Sequence, residues 1–174
     1  MAHRAGVDVT NVGSKNPGAS NTFRTAGRKA GAIVFVLDIL KGVIPSVVGL
    51  ATVSRPLGMA CGIAAFLGHI FPVQRRFKGG KGVATAGGLA FGLYPLVATV
   101  LILVWFVVVK VTHKASIGSL LIVVLLPVGV GLTHHRAWET TCIAGLSVVV
   151  MARHAQNIKR LLKGTERDIA RREI

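Results

Sequence analysis

Apolar and polar residues fall into long alternating blocks along this chain. Residues 1–30 are polar, rich in Gly, Asn and Ser, with five basic side chains. Apolar runs follow at roughly 31–53, 56–73, 83–93, 95–111, 115–132 and 138–152, separated by short basic, glycine or proline patches. Most approach the ~20 residues that cross a hydrocarbon core. The stretch 83–111 would make one helix of about 43 Å at 1.5 Å per residue, too long for a core of about 30 Å. Pro95 starts helices well and continues them badly, so a break at Tyr94-Pro95 is expected. With that break, the N-terminal patch, the Lys81 loop, the Lys110/Lys114 loop and the tail (Arg153, Lys159, Arg160, Lys163, Arg167, Arg171, Arg172) share one face. Only Arg55 and Arg136 lie opposite, which satisfies the positive-inside rule. The pattern predicts an all-α, polytopic membrane bundle, one domain over 1–174, with six membrane helices, the third short. Residues 1–30 form a cytoplasmic loop, 31–152 the bundle, and 153–174 a cytoplasmic amphipathic basic tail lying on anionic lipid.

Composition sharpens this. The 174 residues are 52% hydrophobic with mean hydropathy +0.63, yet carry a net charge of +15 with only 6 acidic residues. A pI near 11.4 suggests nucleic acid, but no basic domain stands apart from the apolar segments, so no nucleic-acid partner is expected. Cys61 and Cys142 lie inside apolar runs without ligand spacing, so neither a metal site nor a cofactor is expected. "MAHRAGVDVTNVGS" lacks the apolar core of a secretory signal.

Three polar patches gather on the basic face. "GSKNPGASNTFRTAGRKAG" (13–31) offers hydroxyls, amides (Asn16, Asn21), cations (Lys15, Arg24, Arg28, Lys29) and glycines, a composition suited to an oxyanion; a flexible basic lead-in to a helix is the plainer alternative. In "GHIFPVQRRFKGGKGVATAGG", Gly79, Gly80 and Gly82 could let backbone N–H groups close on a phosphate beside Lys81, with a helix N-terminus behind. The spacing is not a Walker A loop, since Arg75 and Gly82 stand where Gly and Ser or Thr are needed. A tight turn with snorkelling lysines is the alternative there, and a satisfied structural histidine is the alternative for His69. In "RHAQNIKRLLKGTE", His154 and Asn157 share a helix face and could orient or deprotonate a hydroxyl; a solvated interfacial histidine is the alternative. Asp38 and Lys41, at i, i+3 inside the first span, can neutralise each other as a brace.

Taken in order, "GSKNPGASNTFR", "GHIFPVQRRFKGGKGVAT" and "RHAQNIKRLLKGTE" resemble the three signature motifs of the bacterial acyl-phosphate:glycerol-3-phosphate acyltransferases of the PlsY type. "DILKG" looks familial too, and the resemblance covers essentially the whole chain. It implies a seven-helix enzyme of the cytoplasmic (inner) membrane, with its active site facing the cytoplasm. Such an enzyme moves an acyl group from acyl phosphate to the 1-hydroxyl of sn-glycerol 3-phosphate, giving lysophosphatidic acid and phosphate without cofactor. By motif position Ser14, Lys81, Asn157 and His154 are the implied catalytic residues. Asn16, Asn21, Arg24, Arg28, His69, Gly79, Gly80 and Gly82 are the implied substrate-binding ones. The family pattern GSGNIGATN is altered here by Lys15, Pro17 and Ser20. The family's helix before the first motif is missing, so a truncated fragment or a misassigned start is expected.

Acyl phosphate is already an activated mixed anhydride, so the expected chemistry is placement and charge control. On this reading the Gly79–Gly82 loop and Ser14 hold the acyl-phosphate head, Lys81 offsets the leaving phosphate, Arg24 and Arg28 take glycerol 3-phosphate, and Asn157 orients its hydroxyl. No nucleophile elbow is visible, and direct attack is favoured. The rival from another class is a small carrier or channel for organic phosphates, whose signature, an inverted repeat, is not seen. A purely structural subunit would leave three clustered polar patches unexplained.

Overall fold

The computed structural model describes residues 9, 11–134 and 136–169, and all regular structure within them is helical. The helices are α1 (Ala19–Thr25), α2 (Arg28–Thr52), α3 (Arg55–Ile70), α4 (Val83–Leu93), α5 (Pro95–Thr112), α6 (Ala115–His134), α7 (Ala137–Arg153) and α8 (Ala155–Leu162). The six apolar runs become α2 to α7 with ends shifted by only a few residues. Among the described residues, four segments are long and apolar enough to cross a membrane: Arg28–Thr52, Arg55–Arg75, Pro95–Thr112 and Ala115–His134. The chain does break at Tyr94: its N–H closes α4 on Ala90 O, and Pro95 opens α5 where a missing N–H costs nothing. Ser54 caps α3 by accepting from Leu57 N–H.

Glycine sets how the bundle packs. A Cβ at Gly42 would strike the backbone of Thr85, and one at Gly88 the backbone of Ile39, so α2 and α4 touch main chain to main chain. Phe66, Leu89, Val130 and Ile143 fill the space between α3, α4, α6 and α7. The outer faces of α2 and α5 expose Ile44, Val48, Leu103 and Val107, as expected where the surroundings are lipid.

At the end of the bundle remote from Lys81, the two cations that broke the charge bias meet one acid. Glu139 is fully buried and accepts from Arg55 Nε at 2.7 Å, Arg55 Nη2 at 3.1 Å, Tyr94 Oη at 2.6 Å and Arg136 Nη1 at 3.4 Å. Arg55 also donates to Leu93 O, satisfying the C-terminus of α4. This clasp ties α3, the α4–α5 break and α7 together.

Two regions read as loop or interfacial tail are more ordered than the pattern suggested. The first motif contains the short helix α1. After α8, Gly164 in the left-handed region turns the chain back, and Ile169 N–H donates to His113 O while Lys114 pairs with Asp168 at 3.0 Å. The tail therefore straps over the α5–α6 turn, although Lys159, Leu162 and Lys163 still face outward. Arg171 and Arg172 lie outside the described residues, as do residues 1–8.

Candidate active site

All three motifs meet at one cavity of about 560 Å³, within the range of small-ligand pockets. Its polar end is lined by Ser14, Asn16, Arg24, Arg28, Lys81 and His154, with Asn157 and Glu166 beside them. Its lining also includes the apolar side chains of Phe35 of α2, Phe91 of α4, Ile102 and Trp105 of α5 and Ile122 of α6. A cationic mouth is thus continuous with an apolar cleft.

Ser14 is set by its neighbours. Its N–H donates to Asn21 Oδ1 at 2.9 Å, and Asn21 Nδ2 donates to Val9 O and Val12 O at 2.9 and 3.1 Å. Asn21 is 1% exposed and its amide folds the loop around Ser14, while the residue also lines the cavity. Gly13 and Lys15 flank Ser14 at φ +63° and +56°. Lys15 thus occupies a left-handed position that suits the glycine it replaces in the family pattern.

The glycine loop departs from expectation as well. Gly79 N–H donates to Ile70 O at 3.1 Å and Gly80 N–H to His69 O at 3.3 Å, so neither is aimed at a ligand. Their carbonyls accept from Arg153 Nη2 at 3.0 and 3.3 Å. A Cβ at Gly79 would hit the His69 carbonyl, and one at Gly80 the His69 ring. These two glycines dock the loop on the end of α3 instead of forming a phosphate nest. Gly82, left-handed at φ +86°, lines the cavity and opens α4, whose first N–H groups have no helical acceptor.

Lys81 Nζ donates to Asn157 Oδ1. The Asn157 amide must then point its Nδ2 to Glu166 Oε1, at 2.7 Å. Glu166 also accepts from Ser116 Oγ at 3.0 Å and from Arg160 Nε at 2.8 Å. Asn157 therefore holds Lys81 in place rather than standing free for a hydroxyl. Glu166 is the residue at this cavity that sequence reasoning passed over, although it closes the third motif; an acid among so many cations was the available signal. Burial pushes the Lys81 amine down from 10.5 to about 8, with the Glu166 charge resisting and Arg160, Arg24 and Arg153 assisting.

His154 is 2% exposed, and its Nδ1 lies 2.8 Å from Val150 O. A carbonyl only accepts, so Nδ1 carries the proton and Nε2 keeps its lone pair. Burial first, and the Lys81 charge second, push it down to about 4. It is a neutral acceptor at pH 7, suited to hold a hydroxyl and too weak to deprotonate one outright. His69 lines the cavity with Nδ1 3.5 Å from Asp38 Oδ1, and Asp38 accepts from Lys41 Nζ at 2.8 Å, the expected brace. Among the described residues no group of His, Cys, Asp and Glu could hold a metal ion.

A profile described as "Glycerol-3-phosphate acyltransferase" matches residues 1–164. A protein of that name from Geobacter sulfurreducens is 37% identical over 172 residues, covering 95% of this chain and 86% of the relative. One from Thioalkalivibrio sulfidiphilus is 40% identical over 161 residues, covering 91% and 79%. Among solved structures, PlsY (YgiH), an integral membrane glycerol 3-phosphate acyltransferase, superimposes in its glycerol 3-phosphate form with TM-score 0.91 at 36% identity, covering 96% of this chain and 84% of that one. Its lysophosphatidic acid form gives TM-score 0.88 at 35% identity, with the same coverage.

Proposed function

Because the chain belongs to the glycerol-3-phosphate acyltransferase family and is an integral membrane acyltransferase of phospholipid synthesis, we propose that its donor is an acyl phosphate and that the cavity of the three motifs is where transfer occurs. The observation that carries this reading is the continuity of a cationic mouth with an apolar cleft: one pocket suits two phosphorylated head groups and one acyl tail. The carrier reading falls with family membership.

Lys81, held by Asn157, offsets the charge that collects on the leaving phosphate, and Ser14 with the N-terminus of α4 supplies further donors. Arg24 and Arg28 bind the phosphate of glycerol 3-phosphate, with Asn16 nearby. The 1-hydroxyl oxygen attacks the acyl carbonyl carbon while His154 Nε2 accepts its hydrogen bond and aligns it. The C–O bond to phosphate breaks, and the proton passes to the departing phosphate, giving lysophosphatidic acid and inorganic phosphate. A strong base is unnecessary, which agrees with the low basicity of His154. The site faces the cytoplasm of the inner membrane: Arg24, Arg28, Lys81, Arg153 and Arg160 sit at this end, whereas Arg55 and Arg136 at the other are paired with Glu139.

The test is turnover by the purified protein in detergent with palmitoyl phosphate or palmitoyl-CoA as donor. Lysophosphatidic acid and phosphate should appear in equal amounts from the phosphate donor alone. Turnover from the CoA donor, or an acyl group trapped on Ser14, would overturn the scheme.

A further inference from the structure

Of the four glycines from 82 to 92, three have a structural reason. Gly82 needs its left-handed φ, Gly88 lets α2 reach α4, and a Cβ at Gly92 would stand 3.0 Å from Ser46 Cβ. Gly87 has none of these: it is helical, its φ is ordinary, and a Cβ there meets nothing within 4 Å. A glycine inside a helix costs about 1 kcal/mol against alanine, and nothing in the packing of α4 returns that cost.

What Gly87 does is face the cavity. Val83, Gly87 and Phe91 follow one another at i, i+4 along the lining face of α4. Gly87 thus lies about 6 Å below the helix start, at 1.5 Å per residue, and Phe91 about 12 Å below. The space beside Gly87 stays open because its walls are fixed. Behind it, α4 is locked to α2 through Gly42 and Gly88. Also in the lining, Trp105 is held by its Nε1–H bond to Ser119 Oγ at 3.2 Å and by stacking on Phe35 at 6.0 Å.

Resting on the reading that this cleft takes the donor's acyl chain, we propose that Gly87 sets the cross-section of the cleft and fits it for acyl chains carrying a methyl branch or a cis double bond near their head. A straight chain needs only a narrow slot between α4 and α5. A branch or a bend needs local width, which the missing side chain supplies on the α4 wall. A larger residue at 87 narrows the cleft to straight chains while leaving the phosphate end untouched.

The experiment compares the full chain with Gly87→Ala and Gly87→Leu in detergent. Donors are palmitoyl phosphate, a C16 acyl phosphate with a cis double bond near its carboxyl end, and a C16 acyl phosphate methyl-branched near its carboxyl end. Wild type should use all three with kcat/KM values within a few-fold. Gly87→Leu should keep palmitoyl phosphate within about threefold, lose tenfold or more on the bent and branched donors, and leave the KM for glycerol 3-phosphate unchanged. Gly87→Ala should fall between, and neither variant should melt below wild type. Equal ratios across donors in wild type and Gly87→Leu overturn the proposal and leave the cavity assignment standing. Wild type that uses no acyl phosphate overturns the cavity assignment itself.

Discussion

The buried lysine makes a prediction in which activity and stability respond to pH with opposite signs. Free Lys81 titrates at about 8 in the fold, against 10.5 for an ordinary lysine. Below pH 8 both folded and unfolded chains carry the charge, and the fold bears the penalty of burying it. Between 8 and 10.5 the folded chain has lost the proton and the unfolded chain has not, so stability rises with pH. The interval of 10.5 minus 8 corresponds to about 3 kcal/mol at 1.36 kcal/mol for each pKa unit. Transfer requires the charged amine, so kcat/KM, which reports the free enzyme, should fall tenfold for each pH unit above about 8. A bound phosphate restores the proton, so the corresponding limb of kcat should lie at higher pH. The assay is initial-rate turnover in detergent from pH 6 to 10, alongside thermal unfolding of wild type and Lys81→Met. Lys81→Met should be inactive and more stable at pH 7 by up to about 3 kcal/mol, with the gap closing toward pH 10. A flat kcat/KM to pH 10, or turnover by Lys81→Met, would refute the assignment.

Glu166→Gln keeps an acceptor for Asn157 but removes the charge that supports the Lys81 proton, so the alkaline limb of kcat/KM should move below that of wild type in the same pH series. Glu139→Ala strands Arg55 and the Tyr94 hydroxyl and should cost about 3–5 kcal/mol, read as a fall of about 10 °C in Tm; Arg136→Ala, which removes a side chain itself 58% exposed, should cost less than about 1 kcal/mol. Lys15→Gly relieves a left-handed residue and should raise stability by about 1 kcal/mol with activity retained. His154→Gln, which keeps an acceptor, should lower kcat less than His154→Ala, with the KM for glycerol 3-phosphate nearly unchanged in both, as measured by steady-state kinetics.

The helices were legible because length and hydropathy report directly on what a bilayer must cover, and Pro95 marked the one ambiguous boundary. The meeting of the motifs at one end followed from charge bias alone. What the chain did not disclose was which hydrogen bonds each motif residue would make. Glycines at 79 and 80 look alike whether they cradle an anion or dock against His69, and only the carbonyls of His69 and Ile70 decide between these. Asn21 read as a phosphate ligand and Asn157 as a group orienting a hydroxyl, and the sequence alone did not show that their amides also hold Ser14 and Lys81. Glu166 and Glu139 were hidden for a related reason: each is an acid whose worth lies in partners 50 or 84 positions away.

The central claim is that phosphate end and acyl end share one cavity. It is tested most directly by photolabelling with a non-hydrolysable palmitoyl phosphonate bearing a diazirine midway along its chain. The account predicts labelling of cleft residues such as Phe91, Ile102 and Trp105, abolished by unlabelled palmitoyl phosphonate and lost in Lys81→Met. Labelling confined to outward faces of the bundle, at residues such as Leu96 or Val107, or labelling indifferent to Lys81, would contradict it.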